Sequence, residues 1–293
     1  MSGALAADAG LRLHATEWEE EEYWEEEWEG VDDADLDDVG RQRVLLLVGI
    51  VASAPLLLLY ELSLLEIDDG RRNVAELLLG AIVAPAGPAA AWVRMAVWIV
   101  AAGVAAGLCW HRGVRLWHRL LRTVLEGSLA ALALGPAIIL VDRVFGDAAP
   151  PLPLAEWYPT RSPSLSEVGF VVGGAAYEEV CFRLAMFSAL FLVARYSLSF
   201  FGLGLAPARF VAEVVGLLGS SLLFASFHLE RFTALIGWQG EAFEARLFFW
   251  RVLAGMLLFA LFRWRGLGVA VWTHALFNAG LVLGVGPGVL QSP

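Results

Sequence analysis

The sequence predicts an all-α fold, a polytopic transmembrane helix bundle of about seven or eight spans with a disordered acidic N-terminal tail. Three observations lead to this fold class. The 293-residue chain is 58% hydrophobic and has a mean hydropathy of +0.65, which is far too apolar for a soluble domain. Long apolar runs recur along it and do not alternate with a period of two. Only helices and closed barrels satisfy the backbone in lipid, so these runs indicate spanning helices.

The acidic tail comprises residues 1–40. Residues 1–38 contain 15 Asp or Glu and one Arg, whereas the rest of the chain has 16 acids, 19 Arg and no lysine. Like charges at this density repel one another, and the few aromatic residues cannot build a core. We therefore expect a disordered tail. A second interpretation is a docking tail for a basic partner, or one whose Trp18, Trp24 and Trp28 rest at the membrane interface.

Apolar windows of about 19–20 residues predict the spans that follow. The candidates are 44–64, 92–110, 121–141, 166–195, 209–229, 247–262 and 267–286. The segment 74–90 is short and broken by Pro85 and Pro88, and it is compatible with an eighth span or with a re-entrant or interfacial segment. The run 166–195 exceeds one bilayer crossing, which predicts a tilted helix or one that extends beyond the membrane.

The loop charges predict an orientation in the membrane. Arginines cluster in alternate loops, namely Arg112, Arg115, Arg119 and Arg122, then Arg195 and Arg209, then Arg263 and Arg265. The positive-inside rule places these loops in the cytoplasm and loops 142–165 and 230–246 outside. The N-terminus lacks the basic and apolar regions of a cleavable signal peptide, so we expect the first span to be an uncleaved anchor. Cys109 and Cys181 lie in apolar segments without paired spacing, and we expect both to be buried and unbridged.

The run "GGAAYEEVCFRLAMF" places Glu178, Glu179 and Arg183 in an apolar helix. A charge at the bilayer centre costs roughly 2.5–3.5 kcal/mol, so these side chains must face protein or a wet cavity. At about 100° per residue, Glu179 and Arg183 share one helix face, whereas Glu178 points about 140° away from Arg183. We predict that Arg183 pairs with Glu179 and leaves Glu178 as a free carboxylate suited to a general base.

Two further apolar stretches carry histidines. "SSLLFASFHLERF" contains Phe224 and His228, and "VAVWTHALFNAG" contains His274 and Asn278, each pair spaced i, i+4 on one face. Together with Glu178, these groups are sufficient for peptide hydrolysis. The carboxylate can polarise a water, an imidazole can hold it, and His and Asn donors can stabilise the oxyanion. The set Glu178, His228 and His274 is also compatible with Zn²⁺.

Each of these features also has a purely structural interpretation. An ion pair can join two helices, a buried histidine or Phe224 can simply pack, and an asparagine is common between membrane helices. Their occurrence together on three apolar helices favours a functional site. The chain has no HExxH, so the usual zinc-protease helix is absent.

The three stretches "EEVCFR", "FASFH" and "HALFN" match in order and spacing the motifs EExxxR, FxxxH and HxxxN/D. In this respect residues 165–287 resemble the CPBP family, also called Abi or CAAX protease and bacteriocin-processing proteins, which includes the prenyl-protein endopeptidase Rce1. Residues 41–164 resemble nothing comparable and are assigned only as N-terminal transmembrane helices.

The resemblance implies a role for each motif residue. Glu178 would activate the hydrolytic water with assistance from His228, while His274 and Asn278 would contribute to the oxyanion site. Glu179, Arg183 and Phe224 would support these groups structurally. The structurally studied members resemble glutamate-dependent proteases, so no cofactor is required, although Zn²⁺ is possible.

We therefore expect an intramembrane endopeptidase, multi-pass in the plasma (inner) membrane of a bacterium. Its partners would be the lipid bilayer and a membrane-associated peptide or protein, possibly lipidated, and no nucleic acid. An alternative is a non-proteolytic scaffold, bacteriocin-immunity factor or receptor that retains the motifs. A small transporter is less supported, because the chain shows no internal repeat. CAAX processing by resemblance needs access from the cytosol, whereas the loop charges place the His228 end of its span outside.

Overall fold

The computed structural model describes residues 38–67, 73–76, 78, 84–146, 163–234 and 240–283. They form α1 (Asp38–Glu66), α2 (Ala90–His111), α3 (Leu116–Gly146), α4 (Leu165–Glu179), α5 (Phe187–Phe200), α6 (Leu205–Ser226), α7 (Glu230–Thr233), α8 (Ala245–Arg265) and α9 (Leu267–Leu283). A π-helical segment, Val180–Met186, joins α4 to α5. Within these ranges there is no strand beyond an isolated bridge between Leu229 and Glu241. The all-α prediction is confirmed.

Among the described residues, six helices are long and apolar enough to cross a membrane. They are Gly40–Glu66, Ala90–His111, Leu116–Ala137, Leu165–Phe200, Leu205–Ser226 and Ala245–Arg265. The 17 residues of α9 are also apolar but measure only about 26 Å at the α-helical rise. A helical membrane bundle is therefore supported, but the predicted count of seven or eight spans is not confirmed. The continuous helical segment Leu165–Phe200 has 36 residues and is about 54 Å long. This length exceeds the thickness of the hydrocarbon core, as the sequence predicted.

Two sequence predictions concern segments that the structure covers only in part. Of residues 74–90, the described portion includes a helical turn at 74–76 and a 3₁₀ helix, Ala84–Ala89, in which Gly87 has a φ of 55°. The assignment of 74–90 as an eighth span or as a re-entrant or interfacial segment stays a prediction. The acidic tail up to residue 37 lies outside the described residues.

The helix α9 lies at the centre of the bundle, where it packs against α1, α3, α4 and α8. Glycines allow the close crossings around it. A Cβ on Gly49 of α1 would lie 2.9 Å from the backbone nitrogen of Gly268 on α9, and one on Gly173 of α4 would overlap the Tyr60 side chain of α1. Small residues at helix crossings are typical of membrane bundles, because they let the backbones approach closely. These crossings bring α1, α4 and α9 together around the motif residues.

The outer helices present apolar side chains that have no protein cover. On α3, Leu125, Leu129 and Leu132 are exposed by 54%, 67% and 74% and recur at helical spacing. An apolar face of this kind is expected where a helix contacts lipid. Inside the bundle, Cys109 and Cys181 are buried and not bridged, as predicted.

Candidate active site

The ion pair predicted between Glu179 and Arg183 is present at the end of α4. Arg183 Nε lies 3.2 Å from Glu179 Oε2, and both side chains are almost completely buried. Arg183 belongs to the π-helical segment, a rare geometry that occurs frequently at functional sites. Its Nη2 also donates to the carbonyl of Gly255 on α8 over 3.3 Å. The pair therefore fixes the end of α4 against α8.

Phe224 on α6 lies among the charged and imidazole groups. The Arg183 guanidinium carbon is 4.5 Å from the centroid of its ring, within the range of a cation–π contact. The rings of His228 and His274 lie edge-on to it, with centroid distances of 5.0 and 5.9 Å. The structure thus brings the FxxxH motif against residues of both other motifs.

His274 on α9 lies between the two glutamates. Its Nδ1 is 2.8 Å from Glu179 Oε1, and its Nε2 is 3.6 Å from Glu178 Oε2. The second distance is too long for a direct hydrogen bond, so the two atoms face each other across a narrow gap. The Glu179 carboxylate consequently binds Arg183 with one oxygen and His274 with the other, and it orients both.

Glu178 is not the free carboxylate that helical geometry predicted. Among the described residues it forms no ion pair with Arg183, but Asn73 Nδ2 donates to its Oε1 over 2.8 Å. Asn73 is held in turn, because its backbone nitrogen donates to the Tyr60 hydroxyl and its Oδ1 accepts from the backbone nitrogen of Ala75, both over 2.8 Å. A Cβ on Gly174 would lie 2.9 Å from Asn73 Nδ2, so this glycine leaves the amide room to reach Glu178.

Sequence reasoning missed Asn73. The available signal was a polar residue directly before the short apolar segment 74–90, in the position of a helix N-cap. Such a residue is ordinarily interpreted as a cap alone, and here its side-chain oxygen does accept from the second residue of the turn. The contact of its amide with Glu178 spans 105 residues of sequence, so local pattern cannot indicate it.

His228 lies just beyond the end of α6. Its Nδ1 is 2.8 Å from the carbonyl oxygen of Phe224, which can only accept, so Nδ1 carries the proton and Nε2 remains available. Desolvation lowers the pKa of His228, the Arg251 guanidinium lowers it further, and the Glu178 carboxylate acts in the opposite direction. Arg251 is itself held by Glu241 in a two-bond pair of 2.7 and 2.8 Å. This environment favours a neutral imidazole.

Asn278 follows His274 by one turn on α9 and is half-buried. Within the described ranges its side chain makes no hydrogen bond. The structure therefore brings together Glu178, Glu179, Arg183, Phe224, His228 and His274. Asn278, on the same helix as His274, has no side-chain partner among the residues that the structure describes.

Comparison with known proteins identifies the segment that contains this cluster. Residues 161–280 match the family model of the type II CAAX prenyl endopeptidase Rce1-like proteins. These residues form an Rce1-like domain. No curated protein and no solved structure matches the chain. The Rce1-like proteins are a peptidase family, and the match supports the resemblance that the three motifs indicated. All of the predicted site residues lie within the matched range.

The sequence predicted Glu178, His228 and His274 as the ligands if a zinc ion is bound. Among the described residues, no group of three or more His, Cys, Asp or Glu side chains is arranged to hold a metal ion. Both imidazoles direct Nδ1 to a protein acceptor and leave Nε2 open, an arrangement that is also common for metal-binding histidines. The zinc alternative therefore stays a prediction.

The N-terminal helices contribute a second buried polar network that the sequence analysis did not single out. Arg94 of α2 donates twice to Glu61 of α1, both times over 2.8 Å, and its Nη1 lies 3.2 Å from Glu76. Tyr177, adjacent to Glu178, donates its hydroxyl to Glu61 and accepts from Trp98 Nε1 over 2.7 Å. Ionisable residues inside the predicted spans 44–64 and 92–110 were the signal for this network.

The site lies near the end of the bundle where α1 and α6 terminate. Asn73 follows the end of α1, and His228 follows the end of α6. The starts of α1 and α3, which contain Arg41 and Arg119, lie together at the opposite end of the bundle. The candidate site and the arginine-rich helix starts therefore lie at opposite ends of the bundle.

Proposed function

We propose that this protein is an intramembrane endopeptidase in which Glu178 activates a water to hydrolyse a peptide bond of a membrane-associated peptide or protein. The observation that carries the proposal is the 3.6 Å gap between Glu178 Oε2 and His274 Nε2, built into an Rce1-like domain. A water beside this gap can hydrogen-bond to both atoms at normal distances. A lipidated CAAX-type C-terminus is one substrate class, and the plasma membrane of a bacterium is the proposed location.

The hydrolytic step begins with the carboxylate. Asn73 occupies Oε1 of Glu178, so Oε2 is the oxygen left to accept a proton from water. The water oxygen then bonds to the substrate carbonyl carbon, and the carbonyl π electrons move to the oxygen. His228 Nε2, unprotonated because Nδ1 donates to Phe224, accepts a hydrogen bond from the same water and holds it. Glu178 returns the proton to the amine as the C–N bond breaks.

His274 stabilises the oxyanion. With a proton on each nitrogen, it donates from Nδ1 to Glu179 and presents Nε2–H to the reacting oxygen. In that form Glu178, Glu179, Arg183 and His274 sum to zero charge, which suits a buried cluster because an unpaired buried charge is costly. Asn278, without a fixed partner among the described residues, supplies the second donor. No step requires a metal.

The proposal is tested by comparing new protein N-termini in membranes that contain wild type or Glu178→Gln at equal levels, each with and without a chelator. We expect cleavages with wild type that are insensitive to the chelator and are lost in Glu178→Gln, because the amide keeps the shape but not the basicity. Glu213→Gln, the same change at a half-exposed glutamate paired with Arg263, is the matched control and should retain cleavage.

Two outcomes would contradict the proposal. Loss of cleavage with the chelator alone would indicate a metallopeptidase. Identical profiles for wild type and Glu178→Gln, with a cellular phenotype still complemented, would indicate a binding scaffold that retains the motifs.

A further inference from the structure

A cavity lies at the end of the bundle opposite the Glu178 site, between the start of α1 and the helices α5, α6 and α8. Its volume of about 450 Å³ falls within the range of about 300–1,000 Å³ that is usual for small-molecule sites. Leu46 in its wall remains 37% exposed, so the described residues leave the cavity open at the outside of the bundle.

The inner wall is one face of α5 and of the π-helical segment before it. The lining residues on this face recur at intervals of three and four, namely Leu184, Phe187, Ser188, Phe191 and Arg195. At the helical rise of about 1.5 Å per residue, the face extends over roughly 15 Å. It is charged at one end and largely apolar along the rest of its length.

The charge of the lining is positive. The lining contains three arginines and one acidic residue, Glu213, which pairs with Arg263 over 3.0 Å. The other two arginines, Arg195 near the end of α5 and Arg209 near the start of α6, form no ion pair with any residue that the structure describes. The lining therefore keeps a formal excess of two positive charges, carried by two guanidiniums from neighbouring helices.

Aromatic side chains mark the depth of these guanidiniums in the membrane. Tyr196 and Trp264 each adjoin a lining arginine in sequence, and they are exposed by 67% and 75%. Tyr and Trp are enriched at the boundary between lipid and water, because their rings join an apolar body to a polar tip. The charged end of the cavity therefore lies at the level of the lipid headgroups, and its apolar wall extends towards the acyl chains.

We propose that one anionic phospholipid of the surrounding bilayer binds in this cavity. Its phosphate lies between Arg195 and Arg209, and an acyl chain lies along the apolar face of α5. Guanidinium groups bind phosphate through two parallel hydrogen bonds, and basic pockets between membrane helices bind anionic headgroups. A choline headgroup would add a positive charge beside the arginines, and a free phosphate would leave the apolar wall uncovered.

A lipid at this position fills a gap between two parts of the chain. Leu45 and Leu46 belong to α1, whereas the rest of the wall belongs to the Rce1-like domain. Phe187 in that wall also contacts Phe259 and Phe262 of α8. A ligand that binds only the folded bundle raises its stability by mass action, so the lipid should raise the melting midpoint. This inference does not depend on the proposed proteolysis.

The test uses delipidated full-length protein in detergent, titrated with dioleoyl phosphatidylglycerol or dioleoyl phosphatidylcholine. Native mass spectrometry counts the bound lipids, and the melting midpoint is measured in parallel. We expect one tightly bound phosphatidylglycerol that raises the midpoint, and phosphatidylcholine binding that is about tenfold weaker. This comparison requires no variant.

Two double variants then locate the site. Arg195→Gln/Arg209→Gln should weaken phosphatidylglycerol binding about tenfold, because the phosphate loses both guanidiniums. Arg43→Gln/Arg112→Gln removes two exposed arginines outside the lining and should leave the affinity unchanged. Glycerol 1-phosphate, which has the headgroup phosphate but no acyl chain, should not raise the melting midpoint.

Four results would overturn the proposal. Equal affinity for the two lipids would indicate apolar contact alone. An unchanged phosphatidylglycerol affinity in Arg195→Gln/Arg209→Gln, with elution and lipid-free melting like wild type, would place the lipid elsewhere. An equal loss in both double variants would indicate nonspecific attraction to a positive surface. A midpoint increase with glycerol 1-phosphate equal to that with phosphatidylglycerol would make the site one for a free anion.

Discussion

The polar residues of the candidate site each use one atom for positioning, and in the proposed mechanism each presents another atom for chemistry. His274 binds Glu179 through Nδ1 and presents Nε2, and His228 binds a backbone carbonyl through Nδ1 and presents its own Nε2. Asn73 positions Glu178 in a similar way. Its amide donates to one carboxylate oxygen of Glu178, and the other oxygen faces His274. Orientation by a second hydrogen bond fixes the tautomer and direction of a reactive group, which reduces reorganisation in the reaction.

Asn73→Ala should lower kcat roughly 10–100-fold with little change in KM, because Glu178 loses the contact that orients it. The measurement is steady-state cleavage of a substrate identified from the N-terminal comparison. Gly174→Ala is a second variant that displaces the Asn73 amide without changing its chemistry, and it should reproduce the kcat loss. Unchanged kcat in both variants would show that the Asn73 contact does not act on Glu178.

The pH dependence of stability should report on His228. Its pKa is lowered in the folded protein, so the unfolded chain binds more protons, and stability falls as pH drops below the ordinary histidine value of about 6.5. His228→Gln should flatten this part of a melting-midpoint profile measured in detergent. His118→Gln, at an exposed histidine, is the control and should keep the wild-type slope. A slope identical in wild type and His228→Gln would contradict the assignment.

At the scale of elements, the site depends on helix ends and close crossings. The π-helical segment begins directly after Glu179 and places Arg183 where it reaches α8 and the ring of Phe224. Glycine at position 173 brings α1 against α4, and this crossing sets Tyr60 beside Asn73. The polar side chains are therefore placed by backbone geometry.

Arg183→Ala should lower the yield of folded protein before it affects catalysis. It removes the guanidinium that pairs with the buried Glu179 carboxylate, and breaking a buried pair costs on the order of 3–5 kcal/mol. Yield and melting midpoint in detergent are the measurements, and Arg43→Ala, at an exposed arginine, is the control. Normal expression and melting with loss of cleavage alone would instead assign Arg183 a direct catalytic role.

At the scale of the molecule, the N-terminal helices and the Rce1-like domain share one polar interior. Glu61, Arg94 and Glu76 connect α1, α2 and the turn at 74–76, and Tyr177 joins this network to α4. The Tyr60 ring contacts the ring of Tyr177 in a tilted arrangement, with centroids 5.0 Å apart, and it links the network to Asn73. The helices that precede residue 161 therefore complete the candidate site.

Arg94→Ala should destabilise the whole bundle although Arg94 lies outside the Rce1-like domain. Two buried carboxylates, Glu61 and Glu76, would lose their shared cation, at a cost on the order of 3–5 kcal/mol. The melting midpoint should fall in full-length protein, whereas Arg112→Ala on the exposed loop should not change it. If Arg94→Ala melted like wild type, the network would not contribute to stability.

The sequence by itself determined the helical membrane class, the three motifs and the pairing of Glu179 with Arg183. These depend on local composition and on the helical repeat, which hold at short range. The tertiary structure alone decided that Asn73 holds Glu178 and that Glu179 orients His274. It also decided that Arg94 joins Glu61 to Glu76. Those contacts cross between helices far apart in sequence, and their partners are selected by crossing geometry and the need to satisfy buried charge.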